Sequence, residues 1–181
     1  MPAVLEATIE DLYKVDGKAE LVNGEIVTIP PFGFLPGRAA SSILFCLSEQ
    51  EKFIENGFAC GGSMVFVVDL PHRKSFSPDA SFHIGQTTGM KFLEGAPVFA
   101  VEVRSENDYG KKADEEIENK RHDYFAAGTL VVWDIDLLGD DVIKSYSRDN
   151  PDTPIIYRWG DIARAELALP GWSMPVDELF S

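Results

Sequence analysis

One stretch constrains this chain more than any other. In Val98-Phe-Ala-Val-Glu-Val-Arg-Ser105 side chains alternate along an extended strand, so Val98, Ala100, Glu102 and Arg104 share one face. Phe99, Val101 and Val103 share the other, which must be core. Residues 111–127 follow with helical periodicity, and Thr129 to Asp136 read as a further strand. Strand–helix–strand, preceded by hairpin-like segments, predicts an α/β fold with a mixed sheet flanked by helices.

The rest of the chain fits that frame. Residues 6–14 predict a short helix capped by Thr8, with Glu10 and Asp11 in its first turn. Asn23-Gly24 sits between the two β-rich arms of Glu20-Leu-Val-Asn-Gly-Glu-Ile-Val27, a strong β-hairpin signal. Residues 38–56 read as a first long helix, with Gly57 as its C-terminal cap. Residues 63–69 read as a buried strand, 71–77 as a polar connection, and a short strand runs from Pro78 to Ile84. Strands at 142–147 and 154–158 and a short segment around 175–180 complete the pattern. With 181 residues, 45% of them hydrophobic, one domain over 1–181 is expected; such a chain buries roughly 70% of its unfolded surface.

No apolar run approaches the ~20 residues a membrane span needs, and the N-terminus has no signal-peptide pattern. Cys46 and Cys60 lack metal or redox spacing and read as small buried hydrophobes in a reducing cytoplasm. The formal charge of −14 argues against tight, indiscriminate duplex binding, whose affinity comes from neutralised phosphates. It leaves room for a local basic groove or for carboxylates that hold a divalent cation, while the plainest reading of the acidity is that it serves solubility.

Three residues draw attention as chemistry. Glu102 lies on a strongly hydrophobic strand, where a charge needs a partner or an ion unless the strand emerges into solvent after Val103. Asp79 follows Pro78, a residue best placed at a strand start, which can set the aspartate near Glu102; Pro-Asp is also an ordinary turn signal. Two such carboxylates would suit Mg²⁺, a hard cation with oxygen ligands. On the 111–127 helix, Ala113, Ile117, Tyr124 and Ala127 form one stripe, and Lys120 lies within it. Lysine is seldom buried alone, so Lys120 either snorkels to water or reaches the carboxylate pair. His122 and Glu118 stand four apart and can share a face, with no third metal ligand evident in the sequence. His72 and His83 have no partner readable from spacing, and Tyr124, Phe125 and Trp133 read as core.

Pro78-Asp79, Glu102-Val-Arg104-Ser105, Lys120 four before Tyr124, Ala127-Gly128 and Trp133-Asp-Ile-Asp136 together resemble the Uma2 family (DUF820) of the PD-(D/E)XK nuclease superfamily. The hairpin at Glu20–Val27 and the closing Leu169-Pro-Gly-Trp172 resemble its two ends, so the likeness spans nearly the whole chain. The resemblance implies a restriction-endonuclease-like fold and an Mg²⁺-dependent endonuclease, with Mn²⁺ as a substitute and DNA as substrate. Asp79 and Glu102 match the motif's acidic residues. Arg104 stands where the motif lysine usually falls; it can clamp phosphate but cannot act as a base. Lys120 matches a lysine displaced onto the following helix. Glu20 matches a third acidic position that would join the metal ligands, or is an exposed strand residue. Where many relatives have histidine, this chain has Pro36-Gly-Arg38, with Arg38 a candidate phosphate contact. A homodimer would supply two sites for duplex cleavage. The rival reading is a degenerate binding or regulatory module that keeps the fold.

Overall fold

The computed structural model describes residues 5–180. Helix α1 (Ile9–Leu12) starts at Thr8, whose Oγ1 accepts the Asp11 N–H at 3.3 Å, while an Asp11 oxygen accepts the Thr8 N–H at 3.1 Å. This reciprocal box satisfies two otherwise orphaned donors. Strands β1 (Ala19–Val22) and β2 (Glu25–Thr28) pair antiparallel. Between them Asn23 and Gly24 take φ of 52° and 72°, the left-handed pair that matches a two-residue turn to the twist of its strands.

Helix α2 (Phe34–Ser48) continues as a 3₁₀ turn over Glu49–Lys52. Then come β3 (Gly57–Gly61), β4 (Phe66–Val67), β5 (Ser75–Phe76), β6 (Ala80–Ile84), β7 (Leu93–Glu94) and β8 (Phe99–Val103). Helix α3 (Lys111–Ala127) leads into β9 (Val131–Ile135), β10 (Ile143–Ser147) and β11 (Asn150–Tyr157). Strands β12 (Ile162–Arg164) and β13 (Ser173–Pro175) and a 3₁₀ turn at Val176–Phe180 close the described chain.

The central sheet runs β11-β10-β9-β8-β6-β3. Its pairs are antiparallel except β8 with β9, which are parallel. A parallel pair needs a crossover, and α3 provides it. Phe99, Val101 and Val103 pack with Trp133, Ile135 and the α2 residues Ala39, Ile43 and Leu47. Ala100 and Val132 point the other way, against Tyr124 of α3 and Phe66 and Phe76. Each face is therefore covered by one helix, and the strand pair between them is buried apart from the end that carries Glu102.

Several boundaries differ from the sequence expectation. The first long helix begins at Phe34 rather than 38, because Pro36 falls in its first turn, where no N–H is required. It ends at Ser48 rather than 56. Asn56, at φ 56°, takes the left-handed position expected for Gly57, and Gly57 opens β3 instead. Glycine is needed there for space: a Cβ would lie 2.8 Å from the Phe82 ring. The strand expected at 63–69 is reduced to Phe66–Val67, and the connection 71–77 holds the short β5. Strands β12 and β13 are too short to leave a periodic signal of their own, and β3 begins and ends on glycine, which leaves little side-chain pattern to read.

Candidate active site

The pairing of β6 with β8 matches Ala80 to Val101 and Ser81 to Ala100. Asp79 immediately precedes β6, and its carboxylate lies close enough to Glu102 to act on its charge. The Asp79 N–H donates to the Val101 carbonyl at 2.9 Å, and its Oδ2 accepts the Val103 N–H at 2.8 Å. The side chain thus fills the acceptor place that the ending strand no longer supplies. On the far side of β8, Glu102 is in register with Asp134 of β9. Directly opposed residues share a face, so Glu102 and Asp134 stand together, and with Asp79 beside Glu102 they form a row of three carboxylates. Asp79 is 7% exposed and the Glu102 side chain 23%.

Each carboxylate of the row meets its own cation. Lys120, one turn before Tyr124 on the buried stripe of α3, places Nζ 2.8 Å from Glu102 Oε1 and 2.8 Å from Glu20 Oε1. Tyr124 donates its hydroxyl to Glu102 Oε1 at 2.6 Å. Lys18, just ahead of β1, lies 2.6 Å from Asp79 Oδ1. Asp134 is held by Arg104 through two bonds, Nε to Oδ1 at 2.9 Å and Nη2 to Oδ2 at 2.8 Å.

Glu20 is buried and its oxygens are engaged: Oε1 by the Ser77 N–H at 2.8 Å and by Lys120, Oε2 by Arg73 Nη1 at 2.8 Å. Arg73 is buried too and also binds Asp123, whose other oxygen meets His72 Nε2 at 2.6 Å. Arg73 lies over the Phe76 ring, which stacks on Tyr124.

These contacts set the acidities apart. Burial works against charge on Glu20, but Lys120 and Arg73 outweigh it and hold the carboxyl down to about 2. Glu102 is pushed up: burial is the main cause, and Asp79 and Glu20 add like charge that Lys120 only partly offsets. Burial also opposes the Lys120 ammonium, yet Glu102 and Glu20 raise it above the usual lysine value. Burial and the facing carboxylates keep Tyr124 protonated. Of the two carboxylates that share Lys120, Glu102 is the one whose charge is less well stabilised.

The structure brings Asp79, Glu102, Lys120 and Glu20 into one cluster. Arg104 shares the Glu102 face but spends its donors on Asp134, on Asp114 Oδ1 at 2.7 Å and on the Asp108 carbonyl. Arg38 is exposed in the N-terminal part of α2. Glu118 and His122 acquire the third partner that spacing did not reveal: Asp152 of β11. The three offer ligand atoms within 4.8 Å of one another, all on exposed residues, and His122 Nε2 lies 2.8 Å from Asp152. Sequence reading missed Lys18, Arg73, Asp123 and Asp134. Lys18 had a signal, since it alternates with Glu20 onto one face of the hairpin arm. Arg73 had none, lying in a polar connection without periodicity. Among the described residues no helix is long and apolar enough to cross a membrane.

Comparison with solved structures gives the same fold. The crystal structure described as "a putative nuclease belonging to DUF820 from Anabaena variabilis ATCC 29413" superposes with a TM-score of 0.73 at 15% identity, covering 96% of this chain and 97% of that one. At that identity the likeness speaks for the fold alone. A search among curated proteins finds no match. The model of the Uma2 family, described as "Putative restriction endonuclease", matches residues 7–177. With nearly the whole chain matched, from ahead of the hairpin to the last 3₁₀ turn, the protein belongs to the Uma2 family.

Proposed function

We propose that this protein is a divalent-metal-dependent endonuclease that hydrolyses phosphodiester bonds in DNA, with Asp79 and Glu102 as the metal-holding pair. The observation that carries the reading is the meeting of the Asp79 and Glu102 carboxylates at the end of β8, with an ammonium bound to Glu102. The donor chemistry fits a hard cation: two carboxylates on adjacent strands, one of them partly exposed and under-compensated, as Mg²⁺ or Mn²⁺ prefers. Bound there, such an ion supplies polarisation of a phosphoryl oxygen and a lowered pKa for its water.

The protein's own groups do the rest. Lys120, firmly protonated, acts as a donor to a phosphate oxygen and not as a general base. Glu20, saturated by Arg73, Ser77 and Lys120, is assigned to hold that ammonium in place rather than to bind metal. Tyr124 orients Glu102 from below. Arg104 is assigned to neutralise Asp134 and keep the third carboxylate of the row from drawing the cation away. The exposed Glu118–His122–Asp152 group is left outside the reaction. Cutting both strands calls for two such sites, which a symmetric dimer would supply.

The test is nicking of supercoiled plasmid with Mg²⁺ or Mn²⁺. Asp79→Ala and Lys120→Ala should each lower the rate by roughly a hundredfold or more, as loss of charge stabilisation at a reacting centre does, while His122→Ala leaves it unchanged. Activity retained in both site variants would sink the assignment. A second reading, a catalytically degenerate binding module, is favoured by the charge of −14. Calorimetry that finds no Mg²⁺ or Mn²⁺ binding, with or without DNA, selects it.

A further inference from the structure

Lys18 is the cation of the cluster that stands on Asp79, and its position is the most consequential. It precedes Glu20 by two residues, so the same hairpin arm delivers a base and an acid into the site. Its backbone carbonyl accepts the Ile29 N–H at 2.8 Å, which pins the base of the arm. The side chain is only 16% exposed and runs beside Phe32, with Nζ 5.8 Å from the ring centroid.

The two oxygens of Asp79 are not equivalent. Oδ2 is committed to the Val103 N–H at 2.8 Å and holds the strand ends together. Oδ1 is the oxygen that meets Lys18, whose Nζ stands on it at 2.6 Å. Lys120, by contrast, is shared between two carboxylates, so leaving one still satisfies it at the other. A divalent cation on Asp79 Oδ1 must come within contact distance of the Lys18 ammonium. Two cations that close in a poorly solvated site repel strongly. The ammonium is on a flexible four-carbon stem with freely turning donors, so it is the partner able to move.

We propose that Lys18 is an internal counter-ion that occupies the metal's place on Asp79 and, displaced when a divalent cation binds, turns to a phosphate oxygen of the nucleic acid. This rests on the metal-dependent reading of the site given above. In the metal-free protein Lys18 keeps a buried carboxylate neutralised, which an isolated buried charge requires. In the loaded protein the released ammonium adds a positive charge at the rim of a molecule whose surface is acidic. Cation affinity is then the intrinsic affinity of the carboxylates reduced by the cost of moving Lys18.

The consequence runs against the usual effect of damaging a site: removing Lys18 should improve metal binding. Calorimetric titration of the full chain with Mn²⁺ is the experiment, on wild type, Lys18→Met, Lys18→Gln and Asp79→Ala. Lys18→Met removes the charge but keeps the apolar stem beside Phe32; Lys18→Gln also keeps a donor for Asp79 and serves if the first variant folds poorly. Both should bind Mn²⁺ roughly tenfold more tightly, the scale of removing one adjacent like charge, and with Ca²⁺ present should bind duplex DNA several-fold more weakly. Unchanged or weaker Mn²⁺ binding in the folded Lys18 variants, with binding lost in Asp79→Ala, overturns the counter-ion role and leaves the metal site standing. Equal binding by wild type and Asp79→Ala overturns both.

Discussion

Glu20 and Glu102 share one ammonium yet have opposite acidities. Glu20 adds Arg73 and a backbone N–H to its share of Lys120; Glu102 adds a tyrosine hydroxyl and faces Asp79. A group that keeps its charge this firmly links stability to pH. The folded-state value of Glu20 is about 2, against an ordinary 4.5. Its contribution is therefore complete above pH 4.5 and is lost as the pH falls through about 2. Glu20→Gln should cost on the order of 3 kcal/mol at neutral pH, since it strips a partner from a buried pair. The difference between wild type and variant should shrink on acidification across that window, measured by urea unfolding at several pH values. At this scale the legible residue was Lys120, whose place on an apolar stripe is a local fact. Arg73 was illegible because its importance comes wholly from two carboxylates more than 45 positions away, Glu20 and Asp123.

Among elements, the hairpin matters more than its size implies, because β1 carries Glu20 and is preceded by Lys18. Its turn depends on left-handed backbone at Asn23 and Gly24. At Gly24 a Cβ would meet Glu6 side-chain carbons at 2.8 Å as well as an unfavourable φ. Gly24→Ala should therefore lower stability by about 1–2 kcal/mol, whereas Asn23→Gly, relieved of strain at the same kind of position, should cost little. Equilibrium denaturation of the two variants checks the contrast. The hairpin, α3 and the strands beside it were readable in advance, since a turn dipeptide and a seventeen-residue stripe leave local periodic signals. The ends of α2 were not. Pro36 is admitted by the first helical turn, and the stop at Ser48 is followed by a tighter 3₁₀ turn rather than by a glycine signal.

For the molecule as a whole, a charge of −14 opposes any approach to a polyanion. The basic groups of the site are engaged with carboxylates, so in the metal-free protein little positive charge is left to meet phosphate. Under the proposed function, binding of a short duplex should be negligible in EDTA and should rise at least roughly tenfold with millimolar Ca²⁺. Its salt dependence should be shallow, because few phosphates are neutralised by the protein itself; fluorescence anisotropy across a salt series measures both. The sequence by itself determined the class of fold, the hairpin, the alternation that buries one face of β8 and the stripe that carries Lys120. All of these are periodicities within a single element. The tertiary structure alone decided that Asp79 stands beside Glu102, that Arg104 belongs to Asp134, and that Lys18 rather than open solvent faces Asp79. Strand register and the meeting of distant charges are set by packing between elements, and no spacing along the chain encodes which ammonium will find which carboxylate.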